Sequence, residues 1–245
     1  MKPTPISPPE LAPLLVFGAH PDDIEFGCGA VVAQEVRRGR AVHLVVTSRG
    51  ESGSRGTPAE RTREAEKAAT LLGATLEFVH LDGDAHLEIR SAHAICLAGI
   101  IRRIQPGIVL APSTVQNQHP DHWRLGTLVR DATRLARYGG VAELRDQPGH
   151  AISQLLFYAV TPEAEPSDIS PVFIDVSAPE VVTAWTAAMN AHVTQVSARN
   201  YVEHQLVRSR MLGFRAGVAH AMALFPNDPP VFDSLRSLSR DDGRF

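Results

Sequence analysis

The sequence predicts an α/β fold of the Rossmann-like kind, with a mostly parallel sheet and helices on both faces. Two observations lead to this prediction. Short apolar runs of strand length alternate along the chain with longer segments of helical periodicity, a pattern typical of βαβ units. Clusters rich in histidine, aspartate and glycine follow several of the apolar runs, as expected for loops at the carboxyl edge of a parallel sheet.

The first half of the chain contains four predicted strands and their connecting helices. The clearest helix start is at Thr57, which has the character of a cap, with Pro58 at the first helical position and Glu60 at the third. Gly73 marks the end of the same helix. The predicted strands are 14–19, 41–47, 75–81 and 107–112, and the predicted helices are about 28–38, 58–72, 91–104 and 119–138.

The second half extends the same architecture. Segments 154–160 and 171–176 indicate two further strands, and the acidic, proline-containing segment 161–170 indicates an exposed loop. A helical stretch begins at 179, runs to 196 and continues to about residue 221. We therefore expect an extended N-terminal arm at 1–13, a single domain at 14–232 and a polar C-terminal tail at 233–245.

Composition narrows the classes of function. A chain of 245 residues with 44% hydrophobic content can bury a full core, and its formal net charge of -3 argues against binding nucleic acid or an anionic membrane by counterion release. Its two cysteines form no disulfide framework, and no run of about 18 apolar residues occurs. We expect a cytoplasmic protein without a nucleic-acid or membrane partner.

Two polar clusters, each directly after a predicted strand, contain side chains that bind metals. The first is AHPDD at 19–23, and the second is HPDH at 119–122. Catalytic zinc takes three protein ligands from histidine and carboxylate, and leaves a fourth position open for water. His20, Asp23 and His122 would supply that set.

The other members of the clusters suit the remaining steps of a hydrolysis. Asp22 cannot point the same way as Asp23, so it is left as a general base for the attacking water. His119 lies one helical turn before His122 and can either stabilise an oxyanion or give a proton to a leaving amine. Asp121 can hydrogen-bond a ligating imidazole from outside the ligand set. Either cluster alone would more often be a turn or helix cap, but the two together favour a metal site.

The glycine- and serine-rich loop at 49–56 is expected at the same edge of the sheet. Its glycines permit a close backbone approach, and a guanidinium binds a carboxylate through two hydrogen bonds. Arg49, and less strongly Arg55, are therefore candidates for binding an anionic group of a substrate, and Glu51 is a further substrate-binding candidate. The alternative is a solvated surface turn.

The paired clusters AHPDD and HPDH resemble those of the LmbE/PIG-L family of zinc-dependent de-N-acetylases. Within the family, the closest resemblance is to the N-acetylglucosaminyl-malate deacetylases of bacillithiol biosynthesis, which have segments similar to IEFGCG at 24–29 and to the loop at 49–57. The similarity extends from about residue 14 to 225. It implies zinc, or another divalent ion such as Fe²⁺, on the three ligands given above, with the base at Asp22 and the oxyanion or acid role at His119.

The resemblance also implies the reaction. We expect hydrolysis of the acetamide of a small N-acetylglucosamine-containing molecule, with N-acetylglucosaminyl-malate as the narrower expectation. Ser48 is an extra residue before the loop, and Met222 lies where these enzymes have glutamate. The identity of the substrate's aglycone is therefore left open. The alternatives are another amide substrate, of chitooligosaccharide or antibiotic type, and a sugar-binding relative without turnover. Whether copies form a homo-oligomer is also left open.

Overall fold

The computed structural model describes residues 11–197, 200–232 and 234, and it confirms the predicted α/β fold. Seven strands form the sheet: β1 (Leu14–Gly18), β2 (Val42–Val46), β3 (Thr75–Phe78), β4 (Ile108–Pro112), β5 (Gln154–Tyr158), β6 (Val172–Asp175) and β7 (Ala221–Pro226). Their order across the sheet is β3-β2-β1-β4-β5-β7-β6. The first five strands pair in parallel, and β7 runs antiparallel to both of its neighbours.

Helices cover both faces of the sheet. They are α1 (Asp23–Arg37), α2 (Pro58–Leu72), α3 (Ser91–Ile104), α4 (Pro120–Arg137), α5 (Pro179–Ala191), the single turn α6 (Val193–Val196) and α7 (Tyr201–Ala216). Helices α3 and α4 pack into one apolar core, and α1, α2 and α5 pack into the other. Side chains alternate along a strand, so Leu15 and Phe17 of β1 enter the first core while Leu14 and Val16 enter the second.

The structure changes two expectations about the helices. Helix α1 begins at Asp23, before the predicted start near Cys28, because Asp22 turns the chain directly after β1 and two acidic side chains in the first turn suit the helix N-terminus. A kink at Cys28, at φ -150°, separates this first segment from the predicted helix. The helical stretch does not reach residue 221: Gly217, at φ 67°, ends α7 in the left-handed conformation that glycine favours. The apolar residues that follow form β7, in which Met222 is buried opposite Ile174.

The predicted domain limits remain predictions. Residues 1–10 of the predicted arm, and all of the predicted tail except Ser234, lie outside the described residues. Among the helices of the part described, none is both long enough and apolar enough to cross a lipid bilayer.

The far end of α4 is held by a buried arginine. Arg102 of α3 is 2% exposed, and its guanidinium donates to five backbone carbonyls. Three of these carbonyls, of Leu135, Ala136 and Tyr138, lie at the C-terminus of α4, where unpaired carbonyls and the helix dipole favour a cation. The other two belong to the segment that follows, at Leu144 and Gln147.

The loop after β3 is held by Asp82. Its carboxylate accepts a hydrogen bond from the Glu88 amide at 3.0 Å, lies 2.8 Å from His93 Nε2, and pairs with Arg90. Partial burial raises the pKa of Asp82, but the Glu88 amide and His93 outweigh it and hold this pKa below its ordinary value. The carboxylate is therefore better stabilised in the folded chain than in the unfolded one.

We expect Gly126→Ala to lower the free energy of unfolding by about 1–3 kcal/mol. A Cβ at this position of α4 would lie 2.2 Å from the carbonyl oxygen of Pro112 at the end of β4. The control is Gly139→Ala, where an added Cβ meets nothing within 4 Å. Urea denaturation of both variants checks the prediction, and equal stabilities would contradict it.

We expect Asp82→Asn to lower the free energy of unfolding at pH 7 by about 1.5–3 kcal/mol, the range for hydrogen bonds to a charged group. Because the folded pKa is depressed, the contribution is present above the unfolded pKa of about 4 and is lost as the pH falls through the folded value. The difference in the free energy of unfolding between wild type and variant should become smaller from pH 5 to pH 3 in urea titrations. The matched control is Asp168→Asn, at an exposed site; a gap independent of pH would contradict the assignment.

Candidate functional site

The two histidine–aspartate clusters meet because β1 and β4 are neighbours in the sheet. The first cluster follows β1 and the second leads into α4 after β4, so both lie at the carboxyl edge. Ring nitrogens of His20, His119 and His122 lie within 4.8 Å of one another. The sequence prediction that the two clusters share one site therefore agrees with the geometry.

The predicted ligands His20, Asp23 and His122 converge on one point. His20 Nδ1 lies 3.3 Å from His122 Nε2 and 3.4 Å from Asp23 Oδ2, and His122 Nε2 lies 3.0 Å from Asp23 Oδ1. We call these three residues the inner donor set. All three side chains are almost fully buried.

Hydrogen bonds on the far side of each ring orient the two imidazoles of the inner donor set. His122 Nδ1 lies 3.1 Å from the amide oxygen of Gln118, so in the neutral ring the proton is on Nδ1 and the Nε2 lone pair faces inward. His20 Nε2 lies 3.2 Å from Asp121 Oδ2 and 3.0 Å from Asp84 Oδ1, so in the neutral ring its proton is on Nε2 and the Nδ1 lone pair faces inward. Asp121 Oδ2 therefore contacts the His20 imidazole, and its predicted role of supporting a ligating imidazole stays a prediction.

The Asp23 carboxylate is hydrogen-bonded to the backbone of the first cluster. Its Oδ2 accepts hydrogen bonds from the amides of Ala19 at 3.0 Å and His20 at 2.8 Å. Burial raises the pKa of Asp23, but the charges of His122 and His20 outweigh burial and hold the pKa well below its ordinary value. The extra residue Ser48 also packs here, with its hydroxyl donating to the Ala19 carbonyl at 2.8 Å.

Asp22 adopts a backbone conformation rare for a residue with a side chain, at φ 107°. The turn separates its carboxylate from that of Asp23 and brings it to the cleft, 3.5 Å from the Arg61 guanidinium. Burial and the Asp23 charge raise the pKa of Asp22 to about 6, against the opposing effect of His192, Arg61 and His20. A cation bound by Asp23 would offset that charge and lower the pKa of Asp22.

His119 lies at the start of α4 with its ring in the cleft. Its Nδ1 accepts a hydrogen bond from the Asp121 amide at 3.3 Å, so in the neutral ring the proton is on Nε2. Burial, together with the neighbouring His20 and His122, lowers the pKa of His119. The ring is thus set up as a neutral hydrogen-bond donor.

An open cleft of about 400 Å³ lies over these groups. Arg61 enters it from α2, where its guanidinium donates to the carbonyls of Pro21 and Gly50. Asp84, from the loop after β3, accepts a hydrogen bond from the Ser52 amide. The lining residues are His20, Asp22, Ser52, Gly53, Ser54, Arg61, Asp84, Ala85, His119, His122 and Tyr201.

The three substrate-binding candidates of the loop at 49–56 are not among the lining residues. Arg49 donates to the Thr62 hydroxyl at 2.9 Å, and its guanidinium lies 4.6 Å from the Phe78 ring centroid. Glu51 accepts from the backbone amides of Arg49 and Asp84. Arg55 is exposed, and its carbonyl accepts from Gln195. Their binding of substrate stays a prediction.

Several residues of the site were missed in the sequence. Asp84 had a usable signal, because it follows a parallel strand as the two clusters do. Arg61 lies within a helix and Gln118 lies in a loop, so no feature of the sequence marked either residue as part of the site. The same holds for the buried His192, whose Nε2 lies 3.3 Å from Glu25 Oε2 directly behind the first cluster.

Comparisons with known proteins show similarity to one family over part of the chain. The model of the PIG-L family, GlcNAc-PI de-N-acetylase, matches residues 15–133. The uncharacterized deacetylase YaiS of Escherichia coli (strain K12) is 40% identical over 78 residues, 31% of this chain and 42% of that protein. The 4-oxalmesaconate hydratase of Pseudomonas putida is 32% identical over 138 residues, 51% of this chain and 53% of that protein. The chain thus spans about half the length of the curated relatives that it matches.

The fold extends the similarity to nearly the whole chain. The crystal structure of the conserved protein TT1542 from Thermus thermophilus superposes with a TM-score of 0.80 at 29% identity, covering 91% of this chain and 97% of that one. The segment matched by the family model contains β1 to β4, most of α4, and both histidine–aspartate clusters. The first half of the chain is therefore similar to the PIG-L family.

Proposed function

We propose that the chain is a metal-dependent hydrolase that removes the acetyl group from a small molecule containing N-acetylglucosamine. The observation that carries the proposal is the inner donor set, open to a cleft that also holds an unligated carboxylate and a neutral imidazole donor. The similarity of residues 15–133 to a family described by de-N-acetylation supports the reaction type.

The inner donor set fits a divalent ion. Its closest donor atoms are 3.0–3.4 Å apart, and ligands 2.0–2.1 Å from a tetrahedral zinc lie about 3.3–3.4 Å apart. Two imidazoles and one carboxylate suit zinc, and Fe²⁺ is the second candidate. When bound, such an ion supplies a Lewis acid that polarises the amide carbonyl and acidifies water.

Asp22 transfers a proton from the attacking water to the departing nitrogen. Its carboxylate accepts a proton from the attacking water as the water oxygen bonds to the acetyl carbon. When the C–N bond breaks, the same carboxyl group returns the proton to the departing nitrogen. The products are acetate and a free amine, and no further reactant is needed.

His119 stabilises the negative charge that develops on the acetyl oxygen. Its neutral ring donates from Nε2, since Nδ1 is occupied by the Asp121 amide. A donor fixed in place before the reaction is worth most where charge develops only in the transition state. This favours oxyanion stabilisation over proton donation, the two roles that the sequence left open for His119.

We propose N-acetylglucosaminyl-malate as the first substrate candidate, because the loop at 49–57 resembles that of the N-acetylglucosaminyl-malate deacetylases. Arg61 is a buried guanidinium in the cleft and suits an anionic aglycone. Chitooligosaccharide and antibiotic-type amides are the alternatives. The hydratase among the relatives favours a second function, addition of water to a carbon–carbon double bond, for which Asp22 would activate water in the same way.

We expect His122→Ala and Asp23→Ala to lose the tightly bound ion, because each removes one of three protein ligands. Asp22→Asn should keep the ion and lose about 10²–10⁴-fold in turnover. Metal content after dialysis and acetate release measure the two effects. A full equivalent of metal on dialysed His122→Ala would show that the ion binds at a different site.

We expect metal-replete protein to release acetate from N-acetylglucosaminyl-malate with a higher kcat/KM than from N-acetylglucosamine. The panel includes N,N′-diacetylchitobiose and an unsaturated dicarboxylic acid. Loss of ultraviolet absorbance from the unsaturated acid, with no acetate from any amide, would support the hydratase instead. No turnover of any substrate by protein that holds its ion would favour a sugar-binding relative.

A further inference from the structure

Helix α7 carries a line of exposed apolar side chains. Val207, Met211 and Phe214 are 41%, 66% and 88% exposed, and their spacings of four and three residues place them on one side of the helix. We call these three residues the apolar stripe. Leu212 and Ala216, on the other side, are buried in the core. Apolar side chains exposed together in this way, rather than singly, mark a surface that binds another molecule.

A groove of about 370 Å³ lies beside the apolar stripe, between α7 and the loop that joins β5 to β6. Val207 and Met211 form part of its lining, together with Pro162 and Leu212. The lining is mainly apolar, so the groove suits hydrophobic side chains. A ridge of side chains next to a groove is the shape by which two helices pack together.

The spacing of the stripe suits a second copy of the same helix. His204, which is also exposed, extends the stripe, and positions 204, 207, 211 and 214 then have the same spacing from either end. Such positions are the a and d positions of a heptad, through which two helices pack side by side. A second copy of α7 that runs antiparallel places Met211 opposite Val207 and Phe214 opposite His204. Each contact then occurs twice, as the two-fold symmetry of a dimer requires.

The charged residues beside the stripe also suit a second copy. Glu203 and Arg210 lie on the same flank of the stripe and pair with each other at 2.8 Å. When two copies of α7 run antiparallel, this flank of one copy meets the same flank of the other, so each Glu203 lies next to Arg210 of the other copy. The opposite flank holds Arg208 and Arg215, and Glu165 pairs with Arg208 at 2.6 Å. Carboxylates thus accompany the arginines on both flanks, which favours a second copy over an anionic membrane.

We propose that the apolar stripe is a dimer interface, in which α7 packs antiparallel against α7 of a second copy of this chain. The groove beside the stripe accommodates side chains of the partner helix. The contact is one helix wide and about three turns long, so it is smaller than a standard interface, and we expect dissociation in the micromolar range. None of the stripe residues lines the cleft, so the interface does not depend on the proposed function.

Sedimentation velocity of the full-length protein tests the interface. We expect wild type to change from monomer to dimer as its concentration rises to about 300 μM. Phe214→Glu and Met211→Glu should each raise the dissociation constant at least about tenfold, because each places a charge in an apolar contact. Both positions are exposed in the single chain, so both variants should keep the wild-type circular dichroism spectrum. The matched control is Leu71→Glu, at an exposed apolar position of α2, which should leave the dissociation constant unchanged.

Charge reversal tests the antiparallel arrangement itself. Glu203→Arg alone and Arg210→Glu alone should weaken the dimer, because like charges then meet across the interface. The double variant Glu203→Arg/Arg210→Glu should restore the wild-type dissociation constant. A double variant that dimerises no better than either single variant would contradict the arrangement.

Two results would overturn the proposal outright. One is wild-type protein that stays monomeric at every concentration, and the other is an oligomer that survives both stripe substitutions. A third result would assign the stripe to a membrane instead: monomeric wild type that co-sediments with vesicles of phosphatidylcholine and phosphatidylserine, and a Phe214→Glu variant that does not.

Discussion

The carboxylate of Asp23 is the interaction on which the rest of the site depends. One of its oxygens accepts the two amides that turn the chain out of β1, and the other faces an imidazole 99 residues later in the sequence. Because the same group fixes a local turn and a long-range contact, the first cluster cannot fold into its shape independently of the second. The turn also forces Asp22 into its unusual conformation, which separates two adjacent carboxylates into different environments.

The placement of β4 beside β1 makes this contact possible. The chain crosses from β1 outward to β2 and β3, then returns to the other side of β1 with β4. A reversal of this kind opens a crevice at the carboxyl edge, where ligands of α/β proteins bind. The loops after β2 and β3 close one side of the crevice, which is why Ser52 and Asp84 line the cleft although neither belongs to a histidine–aspartate cluster.

Much of the sheet could be predicted from the sequence, because parallel strands buried on both faces are continuous apolar runs of distinctive length. The position of both clusters followed from the same pattern. β7 could not be predicted in this way: it is an apolar run directly after a helix, and only the glycine at 217 separates the two periodicities. The contacts of Arg61 and His192 depend on helix packing, which no local spacing encodes. The predicted start near Cys28 omitted the first turns of α1, where packing against Tyr158 and Trp185 requires small residues at Gly27 and Gly29.

The arginine that closes the far end of α4 has a consequence for the opposite end of the helix. The acceptors of Arg102 are all backbone carbonyls, which do not titrate, and the buried position shields the contact from salt. The helix that presents His122 is therefore anchored by a contact that depends neither on pH nor on the proposed ion. Such a scaffold would keep the inner donor set in place with or without that ion. Binding of the proposed ion would then cost little ordering entropy.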